Sequence, residues 1–442
     1  MRAALAELPG ILRLAVPIVI GLAASTLLGV TDALMLAPLG PVPLAAVGLT
    51  VAVAIVIYAA AYGLLSALGV RIGAAHGAGA ARRIPFLLRN GLMLGLIAGG
   101  LGMAAMAGAW FALPLLGQPA EVLAAMPVYY GLMAVTMLPW AVLTVFKTAF
   151  EAVDRPWTGV AFAFTGVVIN VPLNYALIWG IGPFPMLGLT GAGVASLVAE
   201  TLALAAAWAW WRLAPATRRL RLRRGLDAGE IVATAREGAP LGALYVAETA
   251  AMAAGTAVIG TFGTVALAAS QVVQSIGALL YMLPLGVAGA VALRVAQERG
   301  AGNDGAIRPI AFAALGVATV WLAAVMLVLV FGGRRIAGAI TGEAAVVALA
   351  AQMFAVLAVM QLMDGVQSTF LGALRGLSDT GWPARISMVA YWGVALPTGW
   401  WVAHAPGWGP AGVWAGFAAG LTLAAVALVW RFLRTTRRGS AA

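Results

Sequence analysis

Twelve long apolar runs constrain this chain more than any other feature of its sequence. Each run approaches or exceeds the roughly 20 residues that a helix needs to cross the hydrocarbon core of a bilayer. The sequence therefore predicts an all-α, polytopic membrane protein with twelve transmembrane helices. The predicted spans lie near residues 11–38, 43–70, 86–113, 122–145, 157–180, 189–211, 238–262, 265–293, 306–332, 344–373, 383–404 and 409–430.

The overall composition excludes several other classes of protein. Hydrophobic residues make up 63% of the chain and charged residues 9%, which is more apolar surface than a water-soluble fold could bury. The net charge of +11 does not predict a nucleic-acid partner, because the arginines fall between apolar runs rather than along one polar face. The absence of cysteine excludes thiol chemistry, and two lone histidines argue against a His-based metal site. No cofactor is expected.

The distribution of basic residues predicts the orientation of the spans. If the N-terminus is cytoplasmic, 24 of the 26 Lys and Arg residues lie in inner loops, and only Arg334 and Arg335 lie outside. We therefore expect both termini in the cytoplasm. The first apolar run is too long for a signal-peptide core, so we expect it to be retained as a helix.

The chain contains an internal repeat. A shift of 223 residues aligns two segments without a gap, and a shift of 225 places Asp154 on Asp379 and Pro172 on Pro397. Because both halves have six spans and both begin inside, the sequence predicts two pseudo-symmetric six-helix bundles related by an axis along the membrane normal. The expected organisation is an N-terminal bundle over 1–213, a cytoplasmic linker over 214–237 and a C-terminal bundle over 238–442. The residue pairs that the first shift aligns are Gly40/Gly263, Leu44/Leu267, Ala45/Ala268, Ala46/Ala269, Arg71/Arg294, Gly77/Gly300, Ala78/Ala301 and Gly79/Gly302.

A series of short motifs covers nearly the whole chain. In their order and spacing they resemble the MATE (multidrug and toxic compound extrusion) family, especially its NorM-type branch. This resemblance implies two six-helix bundles, alternating access, and export of amphipathic, often cationic compounds in exchange for inward Na+ or H+. It also implies that the protein is a monomer, that it lies in a bacterial inner membrane and that it is not an enzyme. The motifs are Thr31-Asp32, Leu39-Gly40-x-x-x-Leu44-Ala45-Ala46-Val47-Gly48, Asn170-x-x-x-Asn174-Tyr175, Gly238-x-Pro240, Gln361-x-x-Asp364-Gly365, Leu374-Arg375-Gly376-x-x-Asp379-Thr380, Tyr391-Trp392, Leu396-Pro397-x-Gly399 and Gly412-Val413-Trp414-x-Gly416.

Four carboxylates lie well inside the predicted spans: Asp32, Glu200, Glu248 and Asp364. An ionisable group at membrane depth is costly enough to indicate a function, and a carboxylate can carry a proton or a sodium ion. The alternative is a satisfied hydrogen bond between helices. Glu200 has no counterpart in the family pattern, so it is a reserve candidate for which both interpretations stay open.

The resemblance assigns Glu248 and Asp364 to a cation site in the C-terminal half. Two oxygen ligands of this kind suit Na+, and two close carboxylates could equally share a proton. Many NorM-type proteins have a tyrosine one helical turn before the second of these acids, where this chain has Met360. This departure bears on the detailed geometry of the site.

Asp32 belongs to a second predicted group with Asn170, Asn174 and Ser196. These residues match the N-terminal site that the resembled family uses for H+ or Na+. The four-residue spacing also places both asparagines on one helix face, where they can hydrogen-bond an acidic residue of a neighbouring helix. The alternative is a polar clasp that only joins helices.

Substrate contacts are expected from methionines, because soft and adaptable side chains suit varied ligands. The candidates are Met252, Met282, Met360 and Met363. Three other functions are alternatives to export. A lipid-precursor flippase of the same superfamily would be expected to carry a basic cavity, whereas the carboxylates make this interior acidic. An intramembrane enzyme would need a nucleophile with a base, or a metal cluster, inside the spans. The internal repeat and the two unequal acidic sites of this chain both argue against a passive channel.

Overall fold

A computed structural model describes residues 2–215, 217–218 and 225–438. Helices dominate this part of the chain, and no strand occurs in it. The helices are α1 Arg2–Leu36, α2 Pro41–Gly77, α3 Arg83–Ala112, α4 Ala120–Ala125, α5 Pro127–Ala152, α6 Pro156–Trp179, α7 Leu189–Leu213, α8 Ala228–Gly260, α9 Thr264–Gly300, α10 Ile307–Ile340, α11 Ala344–Gly376, α12 Gly381–Met388, α13 Leu396–Ala403 and α14 Ala411–Arg438.

Eleven helical segments in the described part of the chain are long and apolar enough to cross a membrane. The remaining predicted span, near 383–404, is also helical but changes its winding along its length. It consists of α12, a π-helix over Val389–Ala395, and α13, which follow one another without a break. The predicted all-α membrane fold is therefore confirmed. π-helices are rare and occur mostly at functional sites.

The same glycine turn joins the first two helices of each half. Gly40 precedes α2 with φ 106°, and Gly263 precedes α9 with φ 99°. Positive φ angles are readily adopted only by glycine, because it has no Cβ. The two glycines are related by the 223-residue shift, so the repeat extends to this local geometry.

Helix α8 begins at Ala228, inside the predicted linker over 214–237. The side chain of Asp227 caps it, since Oδ1 accepts hydrogen bonds from the backbone N–H groups of Gly229 at 2.7 Å and Glu230 at 3.3 Å. The Asn90 side chain in turn accepts a hydrogen bond from the Asp227 N–H at 2.8 Å. Linker residues 216 and 219–224 lie outside the described residues.

The chain forms two compact units that differ from its two sequence halves. Unit 1 comprises the described residues of Met1–Val19 and Ala243–Ala442, and unit 2 comprises Ile20–Gly242. Helices α1 and α8 each begin in one unit and continue into the other. Each helix changes unit two residues after an internal proline, Pro17 or Pro240, and a proline inside a helix interrupts its backbone hydrogen bonds. The start of each half therefore packs with helices of the opposite half.

Candidate ion-coupling sites

The four residues of the predicted N-terminal site meet in unit 2. Asp32 lies on α1, Asn170 and Asn174 on α6, and Ser196 on α7. Asn174 Nδ2 donates to Asp32 Oδ1 and, at 2.9 Å, to Asn170 Oδ1. Ser196 Oγ donates to Asp32 Oδ2 at 3.4 Å, and Asn170 Nδ2 donates to Ser196 Oγ at 3.2 Å. Three helices are thus joined by one polar network.

This network is buried, and it retains an acceptor without a donor. Asp32 is 8% exposed, Ser196 is 5% exposed, and both asparagines are fully buried. Asn174 Oδ1 has no hydrogen-bond partner among the described residues. A buried acceptor without a partner is unfavourable. Together with the carboxylate of Asp32, it forms a set of oxygen atoms suited to a small cation or to an added proton.

The two acids of the predicted C-terminal site meet in unit 1. Glu248 on α8 and Asp364 on α11 interact electrostatically. Ser368, one turn further along α11, donates from Oγ to Asp364 Oδ1 at 3.4 Å. Tyr391 donates its hydroxyl hydrogen to Glu248. The site therefore combines two carboxylates with hydroxyl donors from two further positions.

Three tyrosines that were not among the predicted site residues surround this pair. Tyr281 on α9 interacts with both carboxylates and with Tyr245 and Tyr391. Tyr245 on α8 also interacts with both carboxylates. One signal was present, because Tyr245 lies three residues before Glu248 and so on the same helix face. Helix α11 has the buried Met360 where many NorM-type proteins have a tyrosine. In this chain, tyrosines from other elements lie near the two acids instead.

The π-helix holds Tyr391 at the site through two consecutive side chains. Tyr391 donates to Glu248, and Trp392 Nε1 donates to the carbonyl oxygen of Ala247 at 3.0 Å. Gln367 on α11 hydrogen-bonds Tyr391 and donates to Ser387 Oγ at 3.3 Å. The irregular segment is therefore attached to α8 beside the acidic pair, which fits the usual association of π-helices with function.

A buried arginine completes the polar network of unit 1. Arg375 near the end of α11 is 6% exposed, donates from Nη2 to the Ala288 carbonyl at 3.3 Å, and hydrogen-bonds Tyr245. Asp379, four residues further along, instead pairs with Arg431 of α14 at 2.8 Å. Tyr245 therefore interacts both with a fixed cation and with the two carboxylates.

Glu200 and the four methionines take separate positions. Glu200 on α7 lies outside the hydrogen bonds of the Asp32 network, and its buried Oε2 has no hydrogen-bond partner among the described residues. It interacts electrostatically with Lys147, the only lysine of the sequence, and with Tyr58.

The methionines lie in unit 1 on α8, α9 and α11, which also carry Glu248, Tyr281 and Asp364. These are Met252, Met282, Met360 and Met363. Within the described part of the chain, no three His, Cys, Asp or Glu residues are grouped to hold a metal ion.

A helical membrane protein made of two related halves, each with carboxylates fixed between its helices, has the architecture of a transporter. The sequence profile of the MatE family matches residues 17–176 and 240–401. These two matches begin 223 residues apart and end 225 residues apart, which are the two shifts of the internal repeat. The chain belongs to the MATE family.

Known proteins similar to the chain agree with this assignment. It is 33% identical to the probable multidrug resistance protein NorM of Deinococcus radiodurans, over 99% of this chain and 97% of that protein. It is also 33% identical to the multidrug resistance protein NorM of Burkholderia vietnamiensis, over 95% and 92%. Among solved structures, the eukaryotic MATE transporter AtDTX14 superposes with a TM-score of 0.89 at 21% identity, covering 99% of both chains. The Vibrio cholerae MATE transporter VcmN in its bent form superposes with a TM-score of 0.85 at 20% identity, covering 100% of this chain and 99% of that one.

Proposed function

We propose that this protein is a multidrug efflux transporter that exports amphipathic, cationic compounds in exchange for inward Na+ or H+, by alternating access and without ATP hydrolysis. Multidrug efflux follows from the similarity to proteins named NorM multidrug resistance proteins. The exchange mechanism and the charge of the substrate are inferences from the two carboxylate clusters. We further propose that one chain suffices, since each cluster is complete within one unit.

The observation that carries this proposal is a carboxylate cluster within each unit, in which Asp32 and Asp364 are buried and Glu248 is partly exposed. Asp32 in unit 2, and Glu248 with Asp364 in unit 1, lie on helices that are long and apolar enough to span a membrane. An ionised carboxylate at that depth is costly unless a proton, a metal ion or another cation neutralises it. Both clusters are therefore suited to pick up a cation on one side of the membrane and to release it on the other.

Exchange follows if the drug and the coupling ion neutralise the same carboxylates. A cation bound at Glu248 and Asp364 lowers the affinity of the site for a second cation, and the reduction is reciprocal. The incoming ion thus displaces the drug, and the next drug displaces the ion. We assign the coupling role to Glu248, Asp364 and Asp32, with Na+ held at the first two if Na+ is the ion. The rings of Tyr281 and Tyr391 add π faces that attract organic cations.

We propose a bacterial inner membrane as the location, with both termini in the cytoplasm. The last turns of α14 carry Arg431, Arg434, Arg437 and Arg438, as expected for a cytoplasmic helix end. The two outer-loop arginines of the sequence prediction, Arg334 and Arg335, lie in the last turns of α10, at the opposite end of a span.

Transport of ethidium by purified protein in liposomes tests the proposal. The dye's movement against its gradient is followed by fluorescence while either a Na+ gradient or a pH gradient is imposed. We expect one of these gradients to drive transport by the wild type, and Asp364→Asn to abolish it. The matched control is Asp304→Asn, which makes the same chemical change at an exposed residue of a short loop and is expected to retain transport.

The outcomes separate this proposal from its alternatives. Dye movement that follows only its own gradient would indicate a channel. A protein that binds the dye but responds to neither ion gradient would contradict the exchange mechanism and would reopen the flippase hypothesis. Retained gradient-driven export after neutral amide replacement at both Glu248 and Asp364 would contradict the assignment of the coupling site.

A further inference from the structure

Two clusters of ion pairs in the structure are related by the internal repeat. In unit 2, Arg71 on α2 donates from Nε to Glu230 Oε1 at 2.9 Å and from Nη1 to Glu237 Oε2 at 3.2 Å. In unit 1, Arg294 on α9 donates from Nη2 to Glu7 Oε2 at 3.2 Å. The 223-residue shift that relates Arg71 to Arg294 also relates Glu7 to Glu230. The same arginine–glutamate contact therefore occurs twice.

Each contact joins the two halves of the sequence. Arg71 belongs to the first half, and its partners Glu230 and Glu237 lie in the first turns of α8, where the second half begins. Arg294 belongs to the second half, and its partner Glu7 lies in the first turns of α1. Each arginine therefore anchors the start of the opposite half to its own helices.

Close backbone packing accompanies both ion pairs. A Cβ atom added to Gly63 of α2 would lie 2.5 Å from the backbone nitrogen of Gly242 on α8. The repeat-related pair behaves alike, because a Cβ on Gly286 of α9 would lie 3.2 Å from the backbone nitrogen of Val19 on α1. The first part of each crossing helix is thus held by a tight helix contact and by an ion pair further toward its start.

The ion pairs are shielded enough to matter. The exposure of the side chains of Arg71, Glu230, Glu237, Arg294 and Glu7 lies between 11% and 23%. Fully exposed pairs contribute little because water and salt screen them, whereas screening weakens with burial. Separating a half-buried pair leaves charges that must be hydrated again, so the pairs favour the state in which they are closed.

We propose that these two contacts act as a pair of ion-pair latches, Arg71 with Glu230 and Glu237, and Arg294 with Glu7. Both latches must open whenever the transport path opens to the cytoplasm. The proposal rests on the proposed function for alternating access and for the cytoplasmic position of these helix ends. Each latch lies within one compact unit but joins the two sequence halves. If the sequence halves are the bodies that rock against each other, the start of α1 must leave α9 and the start of α8 must leave α2, which breaks the contacts.

The two latches differ in strength. Arg71 takes both carboxylates from the crossing helix α8. Arg294 takes one carboxylate from α1, and its second, Glu298 at 2.9 Å, lies one turn away on its own helix α9. Replacement of Glu7 therefore removes the carboxylate that ties α1 to Arg294, whereas replacement of Glu230 leaves Glu237 in place. The latch at Arg294 is expected to open more readily.

Cysteine labelling tests the latches directly, because the sequence contains no cysteine. Thr234 on α8 and Ile11 on α1 are repeat-related, are 3% and 0% exposed, and lie one turn from Glu230 and Glu7. Each is replaced by cysteine in turn, and the rate of labelling by a membrane-impermeant maleimide is measured in inside-out vesicles. No substrate is needed, so this readout is independent of drug transport.

We expect slow labelling of Thr234→Cys and Ile11→Cys while the latches are intact. Adding Arg71→Glu to the first or Arg294→Glu to the second should raise the labelling rate several-fold. The charge swaps Arg71→Glu with Glu230→Arg, and Arg294→Glu with Glu7→Arg, should restore slow labelling. As a matched control, Arg431→Glu breaks the 2.8 Å pair with Asp379 inside the second half and should leave both rates unchanged.

Two results would overturn the proposal: unchanged labelling in folded single variants, or an equal increase with Arg431→Glu. If a charge reversal prevents folding, the neutral variants Arg71→Gln and Arg294→Gln take its place. An unchanged labelling rate in those variants would also overturn the proposal. Faster labelling without any gradient-driven export would sustain the latches and refute the proposed function. Normal gradient-driven export with unchanged labelling would support the proposed function and refute the latches.

Discussion

The substitution Gly420→Ala on α14 should disturb the proposed coupling site of unit 1, because it displaces the π-helix that carries Tyr391. A Cβ atom at Gly420 of α14 would lie 2.6 Å from the carbonyl oxygen of Ala390 and 2.7 Å from the Cβ of Ala395. Both neighbours belong to the π-helix. Ordinary contact begins near 3.4 Å, so the π-helix must move by about 0.8 Å.

That movement is enough to disrupt the hydrogen bond between Tyr391 and Glu248. A bond between two oxygen atoms is usually 2.5–3.0 Å long, so a displacement of about 0.8 Å toward α8 takes the two groups out of that range or forces Tyr391 aside. A hydrogen bond to a charged group contributes about 1.5–3 kcal/mol. At 1.4 kcal/mol for each factor of ten, we expect the half-saturating concentration of the coupling ion to shift by about 10- to 150-fold.

Two further variants separate this effect from general damage to the fold. Gly412→Ala brings a Cβ to 2.6 Å from the Cα of Ala403, at the end of α13 away from the π-helix, and should lower stability without changing ion dependence. Gly100→Ala meets no atom within 4 Å, so it should leave ion dependence unchanged and should not lower stability. The assays are ion-dependent ethidium transport in liposomes and the melting temperature in detergent. The reasoning fails if Gly420→Ala transports with unchanged ion dependence, or if Gly412→Ala shifts that dependence equally.

Three smaller changes test the remaining parts of the two sites by the same transport assay. Tyr391→Phe removes only the hydroxyl group and should shift the half-saturating concentration of the coupling ion about tenfold or more, at the scale of a hydrogen bond to a charge. An unchanged concentration would show that Tyr391 is not part of the site. Asn174→Ala removes the donor to Asp32 Oδ1 and should slow export by about tenfold or more on the same scale. Ser196→Ala breaks only a long contact of 3.4 Å. A hydrogen bond within a membrane protein contributes about 0.6 kcal/mol, so this variant should slow export only about threefold. Equal effects of these two variants would contradict the network geometry. Glu200→Gln should retain gradient-driven export, because Glu200 lies outside the Asp32 network, and loss of coupling would promote it to a coupling residue.

Much of the architecture could be predicted because it depends on local properties of the sequence. Apolar length alone locates the spans, and the four-residue spacing of Asn170 and Asn174 places both side chains on one face of α6. The early start of α8 was missed because charges at Glu230, Arg236 and Glu237 lower its hydropathy. The structure shows that these charges need not end the helix, since Asp227 caps its start and Arg71 neutralises two of them.

The details of the acidic site in unit 1 depend on contacts between helices, which spacing along one helix cannot reveal. The π-helix is held by its neighbours, with Gly420 admitting its backbone on one side and α8 accepting hydrogen bonds on the other. Its own residues carry no local signal for this winding. The roles of Tyr281 and Tyr391 were missed for the same reason, because they reach Glu248 and Asp364 from different elements.

The two halves share their scaffold but differ in their chemistry, and the structure gives a physical reason. The 223-residue shift places Gly255 opposite Asp32. A Cβ atom at Gly255 would lie 2.6 Å from the ring of Phe417, so the second half has no room for a carboxylate at that position and carries its acids on α8 and α11 instead. In contrast, the glycine turns before α2 and α9, the prolines of α1 and α8, and the arginine–glutamate pairs all recur. The features that recur are those that a symmetric rocking of two halves would use twice, whereas the carboxylates occupy different helices in each half.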